Sequence, residues 1–238
     1  MHIEIVTHCY QYPTLLRYQL SSLVLFPPAE IDITATVLYT LADSRTSSVL
    51  DWFQNQKMPR VRWNWQELPL QKVCKRSIGR NMAALASEAD WVWFTDADHW
   101  FTTDCWATFG KVPEVNAPLL FPKVVHKHRT HLLGDRCIER AASSDGLVAA
   151  DPAEFEPITM NRAIGGIQIV RGDICRSVGY LRDSEQAQQP VKDGIWLSTR
   201  EDWVFRRRLG SRGKAIDLPG VYRIRHSRAG RHTPGLML

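Results

Sequence analysis

The run Trp91-Val-Trp-Phe-Thr-Asp-Ala-Asp-His99 places two carboxylates one residue apart at the end of an apolar stretch. A buried strand ending there aims acidic oxygens out of the carboxyl edge of a sheet, where open α/β sheets bind their ligands. Hard divalent cations favour carboxylate oxygens and commonly bridge to a substrate's phosphates. Asp96 and Asp98 are therefore candidate ligands for Mn2+ or Mg2+ held against a diphosphate. The bland alternative is a pair of carboxylates capping the next turn. The apolar strand before them favours the metal.

Three further groups of residues could serve the same chemistry. Lys75, Arg76 and Arg80 lie near one face of a helix just before that strand, with Asn81 beside them. A guanidinium there could pair with phosphate or hold a neighbouring carboxylate; a solvated basic face is the competing reading. Glu201-Asp202-Trp203 opens another helix, where the helix dipole alone would favour two carboxylates. Either acid could instead remove a proton from an incoming hydroxyl. Trp196 or Trp203 could offer a flat apolar face to a sugar ring, or simply belong to the core. His226 follows a strand in Arg223-Ile-Arg-His-Ser-Arg228 and could close the shell of a metal held by the aspartates.

Positioning these groups requires a layered frame. Residues 3–7, 33–39, 61–67 and 91–95 read as strands, from short apolar runs or alternation with β-branched residues. Between them, helices are expected from Pro13 to the break at Pro27-Pro28, over 48–54 after a turn at 42–45, and over 75–87. Ile78, Met82 and Leu85 are expected on the buried face of the last. This order implies parallel strands joined by crossovers, hence an α/β sheet with helices on its faces. The second half is less regular. Strands are expected at 119–126, 164–170 and 221–225, and helices at 173–178 and from Thr199, read as an N-cap. Residues 127–160 read as loops, and 184–192 as a polar, mobile stretch.

The chain has 238 residues, nine Trp and a net charge of +5. That length suits one α/β domain, with residues 1–100 as a nucleotide-binding half and 101–238 as an acceptor-binding and catalytic half. No apolar run reaches the ~18–20 residues that span a bilayer. The start reads as a strand and not a secretory signal. Five scattered Cys, without a Cys-x-x-Cys pair, suggest buried free thiols in a reducing cytoplasm rather than a zinc ribbon or a disulfide framework. Residues 200–231 hold ten Arg or Lys against three acids, so the remainder carries −2. Such a segment suits either an anionic-substrate subsite or a nucleic-acid or membrane surface.

The order of these pieces resembles the glycosyltransferases of the GT-A fold, most closely the family-2-like branch. The resemblance covers most of the chain and rests on Arg80-Asn81, Asp96-Ala-Asp98, Gly165-Gly166 and Glu201-Asp202 as a set. It implies a single GT-A domain with a Rossmann-like, mostly parallel sheet. It also implies a metal-dependent, hexosyltransferase-type enzyme, probed first with UDP-sugars, that moves a sugar from a nucleotide-diphosphate donor to a carbohydrate or other hydroxyl acceptor with inversion, retention being the alternative because GT-A enzymes of both outcomes share the metal motif. Carried over by position, Thr7 and Asp43 would lie along the nucleoside and Arg80 would buttress Asp43 or the base. Asp96 would be shared between ribose and metal, and Asp98 would bind the metal. Gly165 and Gly166 would admit the donor sugar or acceptor closely. Asp202, beside Glu201, would be the general base, and Arg228 or Arg231 could offset charge on the leaving group. The family's Pro-Thr-Tyr-Asn-like run is replaced by Thr7-His-Cys-Tyr10.

Two other classes compete. A nucleotidyltransferase also uses paired aspartates and metal, but usually carries a Gly-rich basic loop after strand one; Thr7-His-Cys-Tyr-Gln-Tyr12 has no Gly. A nucleic-acid-binding protein would use segment 200–231 and bind with steep salt dependence. A transferase with a nucleic acid or another anionic polymer as acceptor combines the two.

Overall fold

A computed structural model describes residues 1–112, 116–192, 196 and 200–227. The first half alternates as the sequence predicts. β1 (His2–His8), β2 (Asp32–Tyr39), β3 (Val61–Glu67) and β4 (Trp91–Asp96) are interleaved with α1 (Pro13–Leu25), α2 (Ser44–Gln54), α3 (Leu70–Val73) and α4 (Arg76–Ala86). Pro13 sits in the first turn of α1, where its missing N–H costs nothing. β1 to β4 pair in parallel in the spatial order β3-β2-β1-β4. β1 and β4 lie mid-sheet and are buried along most of their length, which is why they read as apolar runs.

α2 starts four residues earlier than the alternation suggests. Asp43 caps it, accepting from the Thr46 amide at 3.2 Å, so the expected turn at 42–45 runs directly into the helix. α4 presents a different face from the one its apolar residues suggest. Ser77, Ile78, Gly79, Arg80, Ala83 and Ala84 are buried, while Met82 and Leu85 are exposed. Small and polar side chains face inward here because this helix packs over the polar end of the sheet.

The second half adds β5 (His99–Phe101), α5 (Thr103–Phe109), β6 (Leu119–Pro122), β7 (Val124–His128) and α6 (His131–Ala142). A 3-10 turn (Pro152–Glu154) leads into β8 (Phe155–Thr159), followed by β9 (Gln168–Arg171), α7 (Gly172–Val178), α8 (Glu185–Gln188), α9 (Glu201–Arg208), β10 (Lys214–Ile216) and β11 (Val221–Arg223). The expected strand at 119–126 is two strands in two sheets, broken at Lys123. Residues 127–160 hold a helix and a strand instead of loops. The strand expected at 164–170 begins only at Gln168, and residues 185–188 of the polar stretch are helical. β9 inserts antiparallel between β4 and β6, completing a seven-stranded sheet in the order β10-β6-β9-β4-β1-β2-β3. A second sheet, β5-β11-β7-β8, takes up the chain immediately after Asp98. All five cysteines are buried and free. Among the described residues, no helix is long and apolar enough to cross a membrane.

Candidate functional site

Asp96 is the last residue of β4, Ala97-Asp98 forms the turn, and His99 opens β5 in the other sheet. The acidic step therefore sits at the seam between the two sheets. Two hydrogen bonds reach its backbone, and a third holds one of the donors. Thr7 Oγ1 donates to Gln19 Oε1 (2.7 Å), Gln19 Nε2 donates to the Asp96 carbonyl (3.0 Å), and the Ile224 amide donates to the Asp98 carbonyl (2.8 Å). Thr7 is thus buried, with its hydroxyl engaged by Gln19.

Each carboxylate has its own cations. Asp96 Oδ1 accepts from Arg76 Nη1 at 3.0 Å and Arg80 Nη2 at 3.5 Å. Asp98 Oδ2 accepts from Arg223 Nε at 2.8 Å, and His99 Nδ1 lies 2.9 Å from Oδ1 as a charge contact without hydrogen-bond alignment. Burial alone would raise both carboxyls. Arg76 and Arg80 hold Asp96 below the usual range nonetheless, and Arg223 and His99 do the same for Asp98.

Arg80 is almost wholly buried. It also donates to the Gly165 carbonyl (2.8 Å) and to Tyr180 Oη (3.1 Å), so it braces Asp96 and the glycine turn rather than Asp43. From there the chain of bonds continues: Tyr180 Oη to Gln168 Oε1 at 3.2 Å, and Gln168 Nε2 to the Asp202 carbonyl at 3.4 Å. Asn81 Oδ1 accepts from the Tyr180 amide at 3.0 Å. The motif residues of α4, β4, β9 and α9 are joined into one polar network.

His8, Tyr12, Leu15, Arg76, Asp96, Ala97, Asp98, Trp196, Arg223 and His226 line a single cleft. His226 thus shares the cleft with both aspartates. Trp196 flanks it too, its indole donating to the Tyr10 carbonyl at 3.3 Å. A second cavity continues from Asp98, Arg223 and His226 past Lys127, His131 and Arg225. Gly166 is required by its neighbours: a Cβ there would fall 2.4 Å from His99 Cε1 and 3.2 Å from Asp96 Oδ2. The glycine admits this protein's own site residues, whatever it does for a ligand.

The other expected residues are placed as follows. Asp43 caps α2, and its Oδ2 accepts from Thr46 Oγ1 and the Gln11 amide, both at 2.7 Å. Glu201 is buried in the first turn of α9, accepting from Ser77 Oγ at 2.7 Å with Lys75 Nζ at 3.5 Å; it clamps α9 to α4. Asp202 is partly exposed and lies 3.4 Å from Arg206. Trp203 lies outside the cleft, where it carries Arg207 over its ring at 4.8 Å and lines a separate cavity with Arg162, Arg206 and Arg212. Thr199, Arg228 and Arg231 lie outside the described residues.

His8, Tyr12, His99 and Arg223 were not foreseen as site residues. His8 pairs in register with Asp96, and Arg223 with His99, so both were findable only from strand register. The donor types suit a hard divalent ion, but among the described residues they do not gather into a preformed shell. Asp98 Oδ1 is buried without a hydrogen bond, and Asp96, Asp98 and His226 line one cleft with oxygen and nitrogen donors.

No family model matches the chain, and no curated protein matches it in sequence. Solved structures do share its fold. S. aureus TarS 1-349 matches with a TM-score of 0.52 at 13% identity, over 94% of this chain and 60% of that one. The complex of TarS 1-349 with UDP gives 0.53 at 12% identity, over 93% and 60%. The mannosyltransferase PcManGT from Pyrobaculum calidifontis, in complex with GDP-Man and Mn2+, gives 0.49 at 11% identity, over 94% and 56%. The fold is that of the GT-A-type glycosyltransferases, as the sequence resemblance implies. The chain spans no more than about 60% of the length of these proteins.

Proposed function

We propose that the chain is a nucleotide-sugar-dependent glycosyltransferase that transfers a hexosyl group to a hydroxyl acceptor with inversion, using UDP-sugars before other donors. One observation carries this reading. Asp96 and Asp98, at the carboxyl end of the central strand, line one cleft with Arg76, Arg223, His226, Tyr12 and Trp196. The GT-A fold supports it, and so does TarS, which has been solved with UDP.

Asp96, Asp98 and His226 would hold Mn2+ or Mg2+, which when bound offsets negative charge on the departing diphosphate. The chain's own cations act in the same direction. Arg76 and Arg223 face the cleft and favour charge developing on the leaving oxygen. The flat sides of Tyr12 and Trp196 suit an apolar ring face. Asp202 is the base. Its carboxylate takes the acceptor's hydroxyl proton as that oxygen bonds to the anomeric carbon, on the side opposite the diphosphate that leaves with the bond's electron pair. Asp202 does not itself line the cleft; it stands part-exposed in the first turn of α9, 3.4 Å from Arg206. Glu201, clamped by Ser77 and Lys75, sets where Asp202 points.

The nucleic-acid reading loses support because several described cations of residues 200–227 are engaged by the protein itself. Arg206 bonds the Ala163 carbonyl and faces Asp202, Arg208 pairs with Asp183, and Arg223 with Asp98. The test is a thermal-shift panel of UDP-, GDP-, CMP- and dTDP-sugars, each with and without Mn2+. UDP-sugars are expected to stabilise the protein most, and more with Mn2+. Asp98→Ala should keep the fold and abolish the Mn2+-dependent part. Absence of a shift with every nucleotide sugar would sink the reading.

A further inference from the structure

Away from the cleft, three ligand-type side chains from three elements converge: His128 at the end of β7, Cys137 on α6 and Glu154 in the 3-10 turn. Cys137 Sγ lies 3.6 Å from His128 Nε2, and Glu154 Oε2 lies 3.7 Å from the same nitrogen. All three atoms fall within 4.8 Å of one another. No other such group occurs among the described residues.

Their spacing is that of a coordination shell. Zinc–sulfur and zinc–nitrogen bonds of about 2.3 and 2.05 Å, at a tetrahedral angle, put sulfur and nitrogen about 3.6 Å apart. Nitrogen and carboxylate oxygen would be about 3.4 Å apart by the same geometry. The observed edges lie close to both before any ion is considered. Glu154 Oε2 is buried and accepts no hydrogen bond. A buried carboxylate oxygen without a partner is costly. The His128 ring is held by stacking on Phe155, with centroids 3.8 Å apart.

We propose that His128, Cys137 and Glu154 bind one Zn2+ ion, with water or the second Glu154 oxygen as fourth ligand. Thiolate, imidazole and carboxylate together suit zinc, whereas Mg2+ prefers oxygen alone. Binding forms the sulfur–zinc bond as the Cys137 thiol releases its proton to solvent. Glu154 remains partly exposed, with 27% of its side chain accessible, which leaves the ion a way in. The ion would tie β7, α6 and the 3-10 turn together, bracing the sheet that carries Arg223. Its role is structural and distinct from the metal proposed at Asp96 and Asp98.

The purified full chain, stripped with a chelator, is titrated with Zn2+ and separately with Co2+. One equivalent of Zn2+ should raise the melting temperature. Co2+ should bring a near-ultraviolet thiolate-to-cobalt absorption, which the thiol-free Asp96, Asp98 and His226 set does not give. Cys137→Ser should remove that band. Glu154→Gln, a milder change at a part-exposed position, should keep the fold and weaken the ion by roughly tenfold or more. Co2+ binding without the band would overturn the proposal. So would an unchanged Co2+ affinity in Glu154→Gln, or no tight ion at all.

Discussion

Two adjacent acids, Glu201 and Asp202, separate by environment rather than by type. Glu201 is buried against Ser77 and Lys75, and Asp202 stands partly open beside Arg206. Glu201→Gln leaves Lys75 without its countercharge and is expected to cost about 1–3 kcal/mol of stability. Asp202→Asn should leave melting and donor binding unchanged while turnover falls about 10²–10⁴-fold. Calorimetry with a UDP-sugar beside a turnover assay separates them; donor affinity lost in Asp202→Asn would make that residue structural too. His8 gives a pH prediction. Burial, then Arg80 and Arg76 on α4, push its pKa well below the usual value, against Asp96 on β4. Folded and unfolded states are both neutral above about pH 6.5, so this contribution is complete there. Below it, the unfolded chain takes up a proton that the folded one refuses. Stability should fall by up to ~1.4 kcal/mol per pH unit until the folded pKa is reached. Urea midpoints at pH 7 and pH 5 should differ less in His8→Asn; an equal drop would exclude His8 as the source.

The elements were legible where burial followed period. β1, β2 and β4 are well covered, so their apolar runs show through, while the edge strand β3 shows only as alternation; α1 shows through between Pro13 and Phe26. β5, β10 and β11 have only three residues each, too few for any period to register. β6 and β7 read as one strand because Lys123 alone divides Leu119-Leu-Phe-Pro122 from Val124-Val125. α6 was missed because its buried face contains Gly134, Asp135 and Cys137 beside Ile138 and Ala141. α4 misleads for the opposite reason: Met82 and Leu85, two of its three large apolar residues, face outward, and Arg80 faces in. The site followed the same rule, with Asp96 and Asp98 visible as a local pattern and Arg223 dependent on long-range pairing. Asp43 shows how one residue can satisfy two readings. Its three hydrogen bonds make it the cap of α2, so Asp43→Ala should cost about 0.5–2 kcal/mol. If capping is its whole task, UDP-sugar affinity measured well below the melting temperature should be unchanged. A selective loss of affinity with little change in stability would restore the nucleoside role.

At the scale of the whole molecule, the two halves that the sequence suggests are woven together. The seven-stranded sheet takes β1 to β4 from residues 1–100, and β6, β9 and β10 from the rest. β9 lies against β4 along Trp91 to Phe94, covering the edge that the acidic step terminates. Without β9, a strand of two Trp and one Phe would be an open sheet edge, prone to pairing with other chains. Phe94 also packs on Tyr180 and Phe205, at 5.0 and 6.3 Å between ring centroids. The second sheet is no more separable, because β5 follows Asp98 directly and β11 returns to it from the far end of the chain. The site therefore exists only when both halves are folded. Unfolding should be one cooperative event, with near-ultraviolet tryptophan signals and far-ultraviolet backbone signals sharing a midpoint. A fragment of residues 1–112 should show no cooperative transition and should aggregate through the open β4 edge. If that fragment melts sharply and binds UDP, the first half is an autonomous nucleotide-binding domain and the single-domain reading is wrong.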